Sequence, residues 1–384
     1  MKKKISIMVN GKFHAIDLAN YIFKKNQLGL LIICYPKFKF RKQIFNNEKI
    51  KTFGFLYILQ IILSKIDFFK KFSLNYYIIS LFDFLTSLII NKKNTDLLIC
   101  WASTCSITIK KCKRVGIKTI VLRGSTHIDH QIKILKKQYK KYNLKFNEHN
   151  FKLLSKEKLE YHISDFIEVP SKNCKKTFTN LKIPSQKMIV LSRGVYVDLF
   201  KKKNISALKP KNIIFVGNTI IRKGLLYLID SLKFINFDFN LNIVGSVNYN
   251  QLYKLRGEIL DRYNVNFTGH LNQDDLIEQY QNADIFCLPS LEEGMSNVIL
   301  QAMSCSLPVI VTDVSGGEDI IENFHDGIII KSENSYLIQK NLNELYNNDG
   351  LRYKISVNAR KKILRNFQKE DIFKKTLNTY LGKL

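Results

Sequence analysis

The sequence predicts an α/β protein made of two successive doubly wound parallel sheets. Three observations carry this. Short apolar runs alternate with longer amphipathic ones along the whole chain, the pattern left when strands are covered on both faces by helices. The series of runs restarts near residue 212, after a polar, basic stretch. Finally, a chain of 384 residues, 46% of them hydrophobic, exceeds what one core ordinarily supports, so two cores are expected.

In the first half, ISIMV (5 to 9), LGLLIICY (28 to 35), DLLICWA (96 to 102), KTIVLRG (118 to 124) and DFIEVPS (165 to 171) read as strands. In the second, NIIFVG (212 to 217), FNLNIVG (239 to 245), VNFTG (265 to 269), ADIFCLPS (283 to 290) and LPVIVTD (307 to 313) do so. The boundary falls within FKKKNISALKPKN, residues 200 to 212, where no apolar period survives around Pro210. The expected units are therefore 1–200, 201–365 and a terminal helix, 366–384, crossing back to the first domain. Between the second and third strands lie FGFLYILQIILSKIDFF (53 to 69) and LNYYIISLFDFLTSLII (74 to 90). Lys65 and Asp67 interrupt one and Asp83 the other, short of the roughly 20 apolar residues of a membrane span. Core or surface helices are expected, with helices lying in a membrane interface kept open by the adjacent lysines.

Seven scattered cysteines form no CxxC pair and no cluster with histidine, which fits reduced thiols and no zinc site. The N-terminus lacks the apolar core of a signal peptide. The formal charge of +29 is unevenly spread: residues 1–200 hold 38 Lys and Arg against 12 Asp and Glu, net +26, and residues 201–384 hold 23 against 20, net +3. A face of that kind attracts anionic bilayers, acidic acceptors or nucleic acid, and a solvated lysine-rich surface is the plain alternative.

The chemistry concentrates in the second half. NIIFVGNTIIRKG places a strand, a glycine turn, then Arg222 and Lys223 at the opening of a helix, where the ends of parallel strands meet ligands. Beside a helix N-terminus such cations suit a pyrophosphate. In ADIFCLPSLEEGMSNVILQAM the strand gives way to a loop with Glu292, Glu293 and Gly294, and Ser296 is placed to cap a helix starting at Asn297. A third turn, Ser315-Gly316-Gly317, leads to Glu318 and Asp319 at a further expected helix start, so three helix N-termini should converge on one crevice.

The run PS-x-x-EGMS-x-x-x-x-Q-AM, with GN-x-x-x-RKG upstream, resembles the donor-binding signature of the retaining glycosyltransferases of family 4 (group 1), which share the GT-B fold of two Rossmann-like domains. VNGKFHAIDLANYI, RGSTHI, EVPSKN and VLSRG resemble further family segments in the expected order. The resemblance implies that residues 1–200 bind the acceptor and 201–365 the nucleotide sugar. It places His127 and Glu293 at the reacting sugar as catalytic residues, and Gly11, Asn218, Arg222, Lys223, Ser296, Asn297, Val298 and Gln301 on the donor. His14, Arg123 and Ser125 are weaker candidates for sugar or acceptor contacts. Gln301 stands where the family's second glutamate, the ribose ligand, usually sits. Asn218 stands where many members have arginine, a charge that Arg222 could supply, and Arg193 and Tyr196 replace residues more often Asn and Asp.

The implied reaction moves a sugar from a UDP- or GDP-sugar to a hydroxyl of a glycan or lipid-linked acceptor, with retention. It belongs to cell-surface polysaccharide or lipopolysaccharide biosynthesis. No metal or other cofactor is expected, since no DxD segment pairs carboxylates for one, and no nucleic-acid partner is expected. A cytoplasmic location is implied, with peripheral attachment to the anionic inner face of the membrane an open option, first sought at Lys136, Lys137, Lys140 and Lys141. The rivals are a nucleotide-sugar 2-epimerase of the same fold and a basic lipid- or RNA-binding scaffold with a relict sugar site.

Overall fold

The computed structural model describes residues 2–11, 14–39, 48–64, 74–146, 151–201 and 211–384. Its first sheet contains β1 (Ile5–Val9), β2 (Leu28–Ile33), β3 (Ile50–Thr52), β4 (Leu97–Trp101), β5 (Lys118–Leu122), β6 (Phe166–Val169) and β7 (Met188–Val190), in the order β3-β2-β1-β4-β5-β6-β7. The second contains β8 (Asn212–Val216), β9 (Asn240–Val244), β10 (Val265–Gly269), β11 (Ile285–Leu288), β12 (Val309–Thr312) and β13 (Ile328–Ile330), in the order β10-β9-β8-β11-β12-β13. The strand pairs within both sheets are parallel. Each order reverses beside its first strand, at β1/β4 and β8/β11, which opens a crevice at the carboxyl ends of those strands.

Period-two alternation splits the first sheet between two cores. Ile5, Ile7 and Val9 face one layer, while Met8 faces the other with Ile32 and Leu98. The second domain has its own core around Ile213, Phe215, Leu288 and Val311. All seven cysteines are buried and none forms a disulfide; burial pushes the Cys34 thiol up to about 12.

Three edge strands escape the sequence reading: β3, β7 and β13 have three residues each, too few to show a period. The apolar stretches form the helices Gly54–Ser64 and Leu74–Ile89; residues 65–73 lie outside the described ones. Among the described residues no helix is long and apolar enough to cross a membrane.

The expected boundary overlaps residues 202–210, also outside the described ones. Either side of it the chain crosses between domains twice, and the crossings are bonded to each other. Val195 N donates to Phe367 O at 2.9 Å and Lys369 N to Val195 O at 3.0 Å. Beyond this point the helix Lys369–Leu381 puts Phe373, Leu377 and Tyr380 into a core of the first domain.

Candidate active site

The turn after β8 is set by Gly224, at φ +69°, where an added Cβ would lie 1.8 Å from Pro289 O. Only glycine lets this turn rest on the end of β11. Arg222 and Lys223 are thereby carried over the loop that follows β11, and Leu291 N donates to Arg222 O at 2.8 Å. Lys223 Nζ lies 2.6 Å and Arg222 Nη1 2.9 Å from the same oxygen of Glu293. These are ionic contacts without hydrogen-bond alignment.

The helix Asn297–Ser304 starts where expected, with Ser296 as its N-cap residue, but the serine side chain makes no capping bond. Its Oγ lies instead 3.3 Å from Lys223 Nζ. No cap side chain therefore occupies the first N–H groups of this helix, beside Asn297 and Val298. Gln301 is held from behind: the buried Tyr280 hydroxyl donates to its Oε1 at 3.2 Å and lies 3.4 Å from Val298 O. The third expected helix start is corrected. Gly317–Asp319 is a single 3-10 turn, and Asp319 accepts from Lys172 N of the other domain at 2.6 Å.

The facing wall is the loop after β5. Ser125 Oγ, Thr126 N and Thr126 Oγ1 all donate to Glu292 Oε1, at 2.5, 3.1 and 2.6 Å, and Gln131 Nε2 donates to Glu292 Oε2 at 2.7 Å. Arg222 Nη1 stands 3.6 Å from the same carboxylate. Burial alone would raise the Glu292 pKa; the bonds from Ser125 and Thr126, the Arg222 charge and the Gln131 bond outweigh it and hold it below the usual carboxylate value. One residue beyond Glu293, a Cβ on Gly294 would fall 2.1 Å from Gly124 O and 2.8 Å from Pro170 Cγ. The domains thus meet backbone to backbone beside the cations. Sequence reasoning did not nominate Glu292; its position next to Glu293 was the only signal.

Several nominated residues have other work. Arg123 lies beneath the 124–126 loop, with Nε bonded to Thr126 O at 3.1 Å, Nη2 to Gln131 Oε1 at 2.8 Å and Nη1 3.2 Å from Glu157. These contacts support the wall. His127 caps the helix Ile128–Lys141, its Nδ1 accepting from Asp129 N at 3.2 Å. Its ring is packed against Tyr161 and Phe178 and only 4% of the residue is exposed. Burial drives its pKa down to about 4. In this arrangement the histidine expected at the reacting sugar is a buried cap. Asn218 Oδ1 accepts from Ser246 N at 3.2 Å, tying the β8 turn to the β9 turn.

His14 lies nearer the crevice, half-buried after the β1 turn that holds Gly11, with residues 12 and 13 outside the described ones. Its Nε2 is 2.9 Å from Arg193 Nη1 and its ring 5.2 Å from Trp101. An arginine can only donate, so Nε2 accepts and the neutral ring keeps its proton on Nδ1. Burial, then the Arg193 and Lys369 charges, hold its pKa well below the ordinary value. Arg193 also pairs with the buried Glu168 at 3.5 Å, which accepts from Tyr380 of the terminal helix.

Two of the lysines first considered for a membrane face the second domain instead. Lys137 Nζ is 3.0 Å from Glu333 and Lys141 Nζ 2.9 Å from the Tyr227 hydroxyl.

With this geometry in place, residues 197–362 match the family described as Glycosyl transferases group 1. That match falls on the C-terminal domain. An uncharacterized glycosyltransferase of Methanocaldococcus jannaschii is 32% identical over 173 residues, 44% of each chain. A Campylobacter jejuni N,N'-diacetylbacillosaminyl-diphospho-undecaprenol alpha-1,3-N-acetylgalactosaminyltransferase is 28% identical over 169 residues, 43% of this chain and 44% of that one. The chain therefore spans less than half the length of these curated relatives. Across both domains, Anabaena HepE crystallised with UDP superimposes with a TM-score of 0.71 at 14% identity, covering 99% of this chain and 100% of that one. The fold is GT-B: two Rossmann-like domains, with a crevice between β8, β11 and the wall at Ser125.

Proposed function

We propose that the protein transfers a sugar from a nucleoside diphosphate sugar, UDP- or GDP-linked, to a hydroxyl of a glycan or lipid-linked acceptor, with retention and without a metal ion. The observation that carries the reading is the meeting of Lys223 and Arg222 on Glu293 at the mouth of β8 and β11. Departure of a diphosphate leaves growing negative charge as the anomeric carbon becomes oxocarbenium-like. Two cations gathered at one place, with the uncapped start of the helix Asn297–Ser304 beside them, stabilise that charge. As the phosphates draw the cations, Glu293 is released to accept hydroxyls of the sugar. Gln301 reaches the ribose through its amide, His14 offers Nδ1–H toward the sugar or acceptor, and His127 positions the loop that carries Ser125 and Thr126.

UDP is favoured by the HepE complex, and a polyprenyl-diphosphate-linked acceptor by the Campylobacter relative's printed activity. Such an acceptor would place the enzyme at the anionic inner face of the membrane, in cell-surface polysaccharide synthesis. The test is calorimetric titration of the full chain with UDP- and GDP-sugars, followed by transfer assays on polyprenyl-diphosphate-linked sugars. Donor binding with acceptor-dependent transfer supports the reading. Interconversion of free donors without an acceptor identifies an epimerase, and nucleic-acid binding with no donor binding overturns it.

A further inference from the structure

The helices Gly54–Ser64 and Leu74–Ile89 are apolar on two sides: Leu56, Ile78 and Phe82 are buried in a core of the first domain, and a second apolar face is left outside. On the first, Phe55, Ile58, Leu59 and Ile62 are all exposed, spaced i, i+3, i+4 and i+7, so they form one apolar stripe facing away from the protein. On the second, Tyr77, Leu81, Phe84 and Leu88 form a matching exposed stripe, Leu88 being 67% exposed. Its inward face carries Ile78, Ile79 and Phe82 together with three polar residues. Asp83 is fully buried, accepts from Ile107 N at 2.8 Å and from Thr108 N at 2.9 Å, and is paired with Lys156. Thr86 and Ser87 are buried beside it. Gln60 Nε2 donates to Asn75 Oδ1 at 3.1 Å, linking the two helices. A patch of this extent on one side of a domain ordinarily marks a contact surface.

The charges around it choose the partner. Asp83 is the single acidic residue of the two helices, and it is buried and neutralised. Lys51 precedes the first helix and Lys92 and Lys93 follow the second, all exposed, while Lys152 Nζ reaches the Tyr77 hydroxyl at 2.9 Å. A second copy would bring lysine rim against lysine rim. An apolar face ringed by lysines, with aromatic side chains at its edges, complements anionic headgroups over hydrocarbon. We infer that these two helices are the seat of the protein on an anionic lipid bilayer, their stripes sunk into the acyl boundary and Lys51, Lys92, Lys93 and Lys152 on the headgroups. This rests on the peripheral attachment proposed above and makes it specific; it does not depend on the donor site.

The test uses the full chain and vesicles of phosphatidylcholine alone or equimolar with phosphatidylglycerol. The combined Phe55→Ser, Ile62→Ser and Leu88→Ser variant is expected to sediment with the anionic vesicles at least about tenfold more weakly than the wild type, at an unchanged melting temperature. Because all seven native cysteines are buried, Ile62→Cys accepts a polarity-sensitive dye at one place. Its emission should shift to the blue on anionic vesicles and not on raising protein concentration alone. Equal vesicle binding by the triple variant, no dye shift on vesicles, or a shift that follows protein concentration without lipid would each overturn the inference. Loss of donor binding with vesicle binding intact would count against the transferase reading only.

Discussion

Ser125 of the N-terminal domain donates a hydrogen bond of 2.5 Å to Glu292 of the C-terminal domain. It is one of four such bonds converging on a single buried carboxylate. Removing that acceptor leaves the donors of Ser125, Thr126 and Gln131 without a partner across the crevice. Glu292→Ala is expected to lower kcat/KM by roughly 100-fold, the order of loss when one partner of a buried charged contact is deleted. The radius of gyration from solution scattering should rise as the domains separate. Unchanged turnover and dimensions would show that Glu292 does not hold the closed arrangement.

Gln301→Glu keeps an acceptor for the Tyr280 hydroxyl and adds a charge toward the ribose. A charged acceptor strengthens a hydrogen bond by about 1 kcal/mol, so UDP affinity should increase about fivefold. An unchanged dissociation constant would mean that residue 301 serves Tyr280 alone.

The His127 pKa, pushed down to about 4 by burial, makes a signed prediction. The unfolded chain binds the proton more readily, near the ordinary 6.5, so the stabilising contribution of the neutral ring is complete above pH 6.5. It is lost as pH falls from there to about 4, and amounts to at most about 3 kcal/mol. Denaturant unfolding across this window should show a shallower pH slope in His127→Asn than in the wild type. A residual slope in the variant is expected, because the His14 pKa is lowered in the same direction. Identical slopes would contradict the assignment.

Much of the fold was legible because parallel strands buried on both faces, such as β4, β11 and β12, write continuous apolar runs. Strands β8 to β12 fall within the predicted runs, whereas three-residue β3, β7 and β13 leave no pattern. Arg222, Lys223 and Glu293 were nominated from spacing and resemblance, and the structure brings them onto one another because all lie at the carboxyl ends of adjacent strands. What sequence could not supply was partnership across the cleft. Glu292 looks like a loop carboxylate until Ser125, 167 positions away, is folded against it. Arg123 and His127 look available until Glu157 and Phe178 are seen beside them. The exposed stripes of the two apolar helices were equally illegible: hydropathy marks the helices apolar, but only the fold shows that Asp83 points inward and Leu88 out.

The central claim is that Lys223 and Arg222 hold the diphosphate of a nucleotide sugar over Glu293. Calorimetric titration of wild type and Lys223→Met with UDP and with UDP- and GDP-sugars tests it most directly. The account predicts saturable binding by the wild type to at least one of these. The variant should bind about 10- to 100-fold more weakly, the order expected for loss of one charge-assisted contact. Equal affinities for the wild type and Lys223→Met, or no binding of any nucleotide sugar by the wild type, would contradict it.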